Sequence, residues 1–359
     1  MNRPIALLGD IAFNGIFSSS PENIKDKFLA PSIILKKCKL VFANLEVPVK
    51  VDEARNEYKR FIHYSLYASN EELLRFLNIS CVSLANNHIY DCSMTGLKAT
   101  IDLLDDLGIY HTGAGWKEEH INPVIINDNE TRLAFMAYVD KNTNPCTEQC
   151  PELFINYFDE EFVVRDIKKL KSKVDKIICS LHWGNDYSNF YTNSQKEVAH
   201  KLIDAGADII MGHHPHTIQP YEVYNNKTIF YSLGQLCFGD FIWEGELRSL
   251  KRKTKLGLLV RFDDYSFGKH QIIPTKQEKG GKIIISNRNI ENFLKRLQTL
   301  NRLKNQYWLI DYFFRFKEAY IDRIYDFIFG YYRNPLKDIF KIQNFKKFKF
   351  MVRDFKSHY

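Results

Sequence analysis

The sequence has no long hydrophobic run. No stretch of about 18 consecutive apolar residues occurs anywhere in the chain, so no transmembrane helix is predicted. The N-terminal segment MNRPIALLGD also lacks the extended apolar region of a secretory signal peptide. We therefore expect a cytoplasmic protein, with peripheral attachment at the inner face of the membrane as the alternative.

The sequence also lacks paired cysteines. Its seven cysteines include no Cys-x-x-Cys pair, which excludes a zinc knuckle and gives no support for a disulfide framework. Cys81 and Cys179 lie in apolar, strand-like runs, where a free thiol acts as a small hydrophobic side chain. Cys146 and Cys150 lie in a turn-rich segment, 141–151, which predicts a surface loop and leaves their role open.

Positive charge and aromatic residues are concentrated at the C-terminal end. The 359 residues carry a net charge of +7, but residues 286–359 alone hold 16 Lys and Arg against 7 Asp and Glu, with 19 of the 51 aromatic residues. The rest of the chain, with 34 Lys and Arg against 36 Asp and Glu, is nearly neutral. This division predicts a body at 1–278 and a basic, aromatic, helical extension at 286–359, with a flexible break at 279–282.

Three interpretations of the extension stay open. Its helices could pack on the body or on a partner, residues 307–359 could bind an anionic membrane surface, or the segment could bind a polyanion such as a capsule polymer. A nucleic-acid partner is not expected, because the excess of positive charge is confined to this extension.

Strand-like and helix-like segments alternate along the body, which is typical of an α/β protein. Short apolar runs predict strands at 5–8, 40–43, 80–84, 109–112, 132–139, 176–181, 208–211, 221–224, 228–233 and 257–262. Helical periodicity predicts helices at 71–77, 93–107, 194–205 and 289–305. The later strands follow one another without helices, with a hairpin turn at 225–227, and this favours a sheet sandwich with helices outside.

Clusters of potential metal ligands follow these strands directly. They comprise Asp10, Glu46, Asn87, His88, Asp91, His182, His213, His214 and His216. Ligands bind at the carboxyl ends of strands in open α/β sheets, so these coincidences predict a site. Carboxylates, an amide oxygen and imidazoles without thiolates favour Mn²⁺, Zn²⁺ or Fe²⁺.

Several of the ligand candidates have a simpler explanation when they are considered alone. Asp10 could be a turn residue, Asn87 a turn or helix-cap residue, and His182 a hydrogen-bonded core imidazole. The Gly-His-His-Pro-His segment has no evident packing reason for three histidines within four residues. The set as a whole therefore favours a metal site.

Six segments of the body resemble one protein family. They are LLGDIAFNG, ANLEVPV, SLANNHIYDCSMTGL, GIYHTGAG, SLHWGNDY and LIDAGADIIMGHHPHTIQPYEVYNNKTIFYSLGQLCF. They resemble the CapA (PgsA-like) capsule and poly-γ-glutamate synthesis proteins, a branch of the calcineurin-like metallophosphoesterase superfamily. The resemblance runs from about residue 4 to about residue 240. It implies a four-layer α/β/β/α sandwich with two divalent metal ions.

The resemblance also implies a role for each ligand candidate. Asp10 and His216 would hold one metal, Glu46 would bridge, and Asn87, His182 and His214 would hold the second. His88 would assist the leaving group or the phosphoryl oxygen, and Asp91 would orient His88. Asn44 and Asn86 are candidates for residues that orient these ligands by hydrogen bonds without contacting the metals. His213 could be a ligand, a hydrogen-bond donor to a ligand, or neither.

The sequence departs from the superfamily pattern at two positions. Ala12 stands where the superfamily usually has a histidine, which the CapA-like branch also lacks, and Gly234 is followed by Gln235 rather than asparagine. Members of the family often carry an N-terminal membrane anchor, and none is predicted from the N-terminal segment of this sequence.

The function implied by the resemblance is a metal-dependent, phosphoesterase-like hydrolase of capsule or surface-polymer biosynthesis. Its substrate would be a phosphoester or a surface polymer, and its nucleophile a hydroxide shared by the metals. One alternative is a non-catalytic accessory or scaffold protein of capsular polymer assembly or export. Another is amide hydrolysis or transfer on a polyglutamate-type polymer.

Overall fold

The computed structural model describes most of the body of the chain. The described residues are 4–18, 24–59, 62–128, 131–145, 147, 150–243, 246–248, 252–306 and 312–313. The predicted membrane contact through 307–359 and the role of Cys146 therefore lie outside the described residues, except for positions 312–313.

The described residues form eighteen strands and six α-helices. The strands are β1 (Ile5–Ile11), β2 (Leu40–Leu45), β3 (Cys81–Ser83), β4 (Tyr110–Thr112), β5 (Ala114–Gly115), β6 (Val124–Asp128), β7 (Thr131–Val139), β8 (Phe154–Ile155), β9 (Lys176–His182), β10 (Ile209–His213), β11 (Tyr221–Tyr224), β12 (Lys227–Phe230), β13 (Gln235–Cys237), β14 (Phe241–Trp243), β15 (Glu246–Arg248), β16 (Leu256–Phe262), β17 (His270–Gln277) and β18 (Ile283–Ile285). The helices are α1 (Leu29–Leu35), α2 (Tyr67–Phe76), α3 (Ser93–Asp106), α4 (Glu160–Lys171), α5 (Asn193–Ala205) and α6 (Ile290–Gln306).

Two large sheets form the centre of the fold. The first has the strand order β18-β17-β16-β1-β2-β3-β4, with β13 also paired to β1, and the second has the order β11-β12-β10-β9-β7-β6. Strands β1 to β4 are parallel to one another, as are β7, β9, β10 and β12. Their carboxyl ends therefore lie together at one edge of each sheet.

The two sheets stack face to face, with helices on both outer faces. Side chains alternate along β1, so that Leu7 packs between the sheets against the core that contains Phe135, whereas Leu8 packs with the apolar sides of α1, α2 and α3. On the far side, Cys179 of β9 packs in a third core with α4 and α5. The result is a four-layer α/β/β/α sandwich, which confirms the predicted fold class.

Local sequence explains the ends of several helices. Thr192 and Gln195 form a capping box at the start of α5, and Gly206 ends it with a φ of 126°. The side chain of Asp159 caps α4, a helix that the sequence analysis did not predict. The predicted hairpin turn is confirmed, since Asn225 and Asn226, with φ of 48° and 59°, join β11 to β12.

The glycine pair at 280–281 does not form the predicted flexible break. It makes the turn of a hairpin between β17 and β18, where Gly280 and Gly281 have φ of 87° and 85°. The N–H of Glu278 donates to the carbonyl of Lys282 at 2.8 Å. Positive φ is a conformation that glycine adopts without strain, so the pair suits a turn as well as a linker.

The chain continues to pack on the body beyond this hairpin. Strand β18 extends the first sheet, and Ile290 and Leu294 of α6 are buried in the core between the sheets. The helix predicted at 289–305 is thereby confirmed, while the domain limits 1–278 and 286–359 stay predictions. Within the part of the chain that the structure describes, no helix has both the length and the apolar composition needed to cross a bilayer.

Candidate metal centre

The predicted ligands converge where parallel strands of both sheets end. Asp10 of β1 is in register with Asn44 of β2, and His182 of β9 is in register with His213 of β10. Because both sheets present their carboxyl ends here, residues from the beginning, middle and end of the body meet at one edge of the sandwich.

Close backbone contacts shape the strands at this edge. A Cβ on Gly9 would lie 1.9 Å from the carbonyl oxygen of Gly234, and a Cβ on Gly212 would lie 2.0 Å from that of Tyr231. Glycine therefore permits the close approach directly before Asp10 and directly before His213. The register of β1 against β2 also shifts between Leu7 and Asp10, as is common beside functional sites.

Asp10 is fully buried and lies among four polar partners. Its Oδ1 lies 3.0 Å from Nδ1 of His213 and accepts a hydrogen bond from Nδ2 of Asn44 at 2.9 Å. Its Oδ2 lies 3.4 Å from Nδ1 of His216 and 3.3 Å from the backbone nitrogen of His214. Burial would raise the pKa of Asp10, but the contacts with His213, His216 and Asn44 outweigh it and lower the pKa.

Glu46 is equally buried but has no hydrogen bond. Within the described residues, neither of its carboxylate oxygens has a donor, although Oε1 lies 3.4 Å from Nε2 of His216 and 3.9 Å from Nε2 of His182. Burial and the nearby charges of Asp10 and Asp186 raise the pKa of Glu46 well above its usual value. A buried carboxyl group without a partner is a costly arrangement that a cation would relieve.

Asp10, Glu46 and His216 could hold a metal ion together. One donor atom from each lies within 4.8 Å of the other two, and all three residues are buried. The backbone conformations of His214 and His216 are unusual, since these two residues have φ of 94° and 54°. Such conformations in residues other than glycine cluster at functional sites.

A second group of ligand candidates lies beside the first. Nε2 of His182 lies 2.9 Å from Oδ1 of Asn87, and the rings of His182 and His214 have their centroids 4.9 Å apart. Burial, followed by the charges of the neighbouring histidines, lowers the pKa of His182 well below its usual value. The imidazole is therefore neutral at pH 7 and can act as a metal ligand.

His88 and Asp91 form a contact of their own. Nδ1 of His88 lies 2.8 Å from Oδ2 of Asp91, and Lys59 donates to the other oxygen of Asp91 at 3.0 Å. Burial would raise the pKa of Asp91, but Lys59 and His88 lower it to about 2. Asp91 is therefore ionised at neutral pH and fixes the ring of His88.

The two asparagines predicted to support the site connect its parts. Asn44 contacts Nδ1 of His182 at 3.4 Å in addition to Asp10. Asn86 donates to Oδ1 of Asn44 and accepts a hydrogen bond from the backbone of His88. Both side chains are buried, so their hydrogen bonds fix the positions of the ligand candidates inside the protein.

Three residues at the centre were not found by sequence analysis. Lys59 donates to the carbonyl of Asn87, the His63 ring lies 4.7 Å from that of His88, and Asp186 contacts His214. Lys59 and His63 belong to the connection between β2 and α2, which shows no periodicity. Asp186 lies inside the quoted segment SLHWGNDY but was not recognised as a candidate.

Ala12 occupies the position where a histidine is missing. It lies in a small apolar cluster with Val47 and Phe238 and is fully buried. The Phe238 ring also packs against His216, with centroids 5.2 Å apart. In this chain an apolar contact therefore takes the place of a further polar group beside Asp10.

A cavity of about 490 Å³ adjoins the segment that carries His88 and Asp91. Its lining includes Tyr90 and Cys150, and the Tyr90 hydroxyl donates to the sulfur of Cys150 at 2.9 Å. The second of the two loop cysteines thus lies near the candidate centre, on the side of His88.

Comparison with known proteins gives the family. Residues 4–240 match the family model described as "Bacterial capsule synthesis protein PGA_cap". The chain belongs to this family. The PGA_cap match covers every ligand candidate named above.

Curated relatives agree with the family. The chain is 28% identical to "Capsule biosynthesis protein CapA" of Bacillus anthracis over 76% of this chain and 67% of the relative. It is 31% identical to "PGA biosynthesis protein CapA" of Bacillus subtilis (strain 168) over 57% of this chain and 54% of that relative. The chain thus spans only about half of the B. subtilis protein. It also aligns with NAD nucleotidase of Haemophilus influenzae at 15% identity and a TM-score of 0.45, over 85% of this chain and 63% of that one.

Proposed function

We propose that this protein is a metal-dependent, phosphoesterase-like hydrolase that acts in capsule or surface-polymer biosynthesis. In this proposal Asp10, Glu46 and His216 would hold one divalent ion. Asn87, His182 and His214, together with Glu46, would hold a second. Family membership supports the biological setting, and the chemistry of the donor set supports the metals.

One observation carries the proposal. Both oxygens of Glu46 are buried without a hydrogen bond among the described residues, between His216 and His182. A structural carboxylate in a core would have donors, because an unpaired buried charge costs several kcal/mol, on the order of 3–5 for a broken pair. The arrangement is explained if a cation binds between the two histidines.

His88 and Asp91 would have different roles in the proposed reaction. When bound, a pair of divalent cations would polarise a phosphoryl oxygen and supply a water nucleophile at neutral pH. His88 would donate a proton to the leaving oxygen, or a hydrogen bond to the phosphoryl oxygens on which negative charge develops. Asp91, ionised and in contact with Nδ1, would hold the His88 ring so that Nε2 is available to the substrate.

Turnover of a chromogenic phosphodiester tests the proposal. The purified chain is incubated with Mn²⁺ and bis-p-nitrophenyl phosphate, and the wild type is compared with Glu46→Gln and His214→Ala. Glu161→Gln, at an exposed position of α4, serves as a control that removes one negative charge from a residue outside the proposed ligand set. We expect both centre variants to lose at least about 100-fold in rate and the control to keep it. Equal rates in all four proteins would exclude the proposed site.

A scaffold function is the second candidate, and Ala12 favours it. The apolar cluster of Ala12, Val47 and Phe238 offers no ligand where the superfamily usually has a histidine. A vestigial site would then stabilise the fold of an assembly protein without turnover. This candidate predicts that the protein binds no Mn²⁺ and that added Mn²⁺ leaves its melting temperature unchanged.

We further propose that residues 307–359 bring the protein to an anionic membrane surface. The proposal is supported by the basic and aromatic composition of this segment. It is tested by co-sedimentation with phosphatidylserine vesicles of the full chain and of a Lys346, Lys347 and Lys349→Glu variant. Weaker sedimentation of the variant supports the membrane contact, and equal sedimentation of both excludes it.

A further inference from the structure

Asp186 lies at the solvent-exposed side of the candidate centre. Its Oδ1 is 3.5 Å from Nε2 of His214, and its side chain is 61% exposed, compared with 4% for His214. No role follows for it from the family resemblance, and the proposed ligand set does not include it. The question is whether this carboxylate is only a neighbour of the centre or part of it.

The backbone around Asp186 holds the carboxylate in this position. The N–H of Tyr187 donates to the carbonyl of Pro215 at 3.0 Å. The carbonyl of Ser188 accepts from Oγ1 of Thr217 at 2.5 Å and from Nε2 of Gln219 at 3.0 Å. The loop after β9 is thus attached to the loop after β10 by several hydrogen bonds, and Asp186 is fixed over His214 by this framework.

The spacing of donor atoms matches that of ligands on one ion. Two neighbouring donors that each lie about 2.0–2.2 Å from a metal are separated by about 2.8–3.1 Å in octahedral and about 3.3–3.6 Å in tetrahedral geometry. Nε2 of His182 lies 2.9 Å from Oδ1 of Asn87, and Nε2 of His214 lies 3.5 Å from Oδ1 of Asp186. Asp186 therefore has the spacing of a neighbouring ligand to His214, whereas His182, His214 and Asp186 do not together bring one donor atom each within 4.8 Å of one another.

The charge of Asp186 also acts on the centre. Its carboxylate is the third at the centre, beside those of the buried Asp10 and Glu46. Three carboxylates would then balance the charge of two divalent ions better than the two of the predicted set.

We infer that Asp186 is an additional ligand of the metal ion that His214, His182 and Asn87 hold. This inference rests on the proposed function, because it presupposes a bound metal. It adds a carboxylate to a set that is otherwise neutral apart from the bridging Glu46. A carboxylate ligand on the exposed side increases affinity for a divalent ion while the buried ligands fix its position.

Titration calorimetry with Mn²⁺ tests the inference without any need for turnover. The wild type is compared with Asp186→Asn, Asp186→Glu, His214→Ala and the charge-matched control Glu161→Gln. We expect Asp186→Asn to weaken the affinity for one Mn²⁺ by about 10–100-fold, as for groups beside metal sites. Asp186→Glu should retain most of the affinity, and Glu161→Gln should match the wild type.

Other outcomes of the same experiment overturn specific claims. If Asp186→Asn binds Mn²⁺ within twofold of the wild type while His214→Ala binds more weakly, Asp186 is not a ligand and the proposed centre stands. If Asp186→Asn and Glu161→Gln weaken binding equally, the effect is one of net charge and the inference is wrong. If the wild type binds no Mn²⁺, the proposed function fails together with the inference.

Discussion

Nδ1 of His213 lies 3.0 Å from Oδ1 of Asp10, and neither side chain is exposed to solvent. This contact joins the end of a strand in the second sheet to the end of a strand in the first. Sequence analysis left the role of His213 open among ligand, supporting donor and neither. The contact places His213 directly beside the ligand candidate Asp10, while neither of its ring nitrogens makes a hydrogen bond within the described residues.

The first prediction concerns this contact. His213→Ala removes a partner of a fully buried carboxylate, so we expect the free energy of unfolding to fall by about 1–3 kcal/mol. His213→Gln, which keeps a donor group, should lose less. Urea unfolding of the metal-free proteins measures both values. A loss in His213→Ala no larger than in His213→Gln would show that the contact does not stabilise Asp10.

The second prediction concerns Lys59. Its ammonium group and Asp91 form a buried ion pair, with side chains 7% and 0% exposed. Lys59→Met leaves the Asp91 charge without this partner, so we expect a loss of about 3–5 kcal/mol in the free energy of unfolding. Lys201→Met, which breaks the exposed pair with Glu160, should change stability little. Similar losses in the two variants would contradict the prediction.

The third prediction concerns protons released by metal binding. Burial and the charges of Asp10 and Asp186 raise the pKa of Glu46, and a bound cation would lower it again, so metal binding should displace protons from this carboxyl group. Binding of Mn²⁺ should therefore release protons and tighten as the pH rises. Calorimetry in buffers of different ionisation enthalpy measures the release, and Glu46→Gln is the control. A binding enthalpy independent of the buffer would contradict this.

The fourth prediction concerns acid stability. Burial lowers the pKa of His216 from 6.5 to about 4, so the unfolded chain binds a proton at higher pH than the folded protein does. Between these values the unfolded state carries more protons, and the stability of the metal-free protein must fall as the pH is lowered from 6.5 to 4. Unfolding curves across this range should show a smaller slope for His216→Gln. If the stability of His216→Gln depends on pH as steeply as that of the wild type, another group is responsible for the loss of stability.

Sequence patterns located much of the centre because its residues end apolar strands. In the segment KIICSLH an apolar run stops at a histidine, and the structure places His182 at the last position of β9. Asp10 was found in the same way. The local pattern sufficed because the carboxyl end of a parallel strand already defines where a side chain lies in the sandwich.

Other parts of the centre depend on contacts that no periodicity encodes. Lys59 reaches Asp91 because the N–H of Asn56 donates to the backbone carbonyl of Asp91, and Asp186 reaches His214 because Tyr187 bonds to Pro215. The wrong prediction of a flexible break at 279–282 has a similar origin. A glycine pair permits positive φ, but the antiparallel pairing of β17 with β18, with Gly281 close to Ile16 and Phe17, distinguishes a hairpin turn from a linker.

The metal content of the reconstituted protein tests the central claim most directly. The wild type, Glu46→Gln and Glu161→Gln are loaded with Mn²⁺, freed of excess metal and analysed by plasma mass spectrometry. The account predicts two ions per chain in the wild type and in Glu161→Gln, and fewer in Glu46→Gln. A wild type that retains no metal, or a Glu46→Gln variant that retains as much as the wild type, would contradict it.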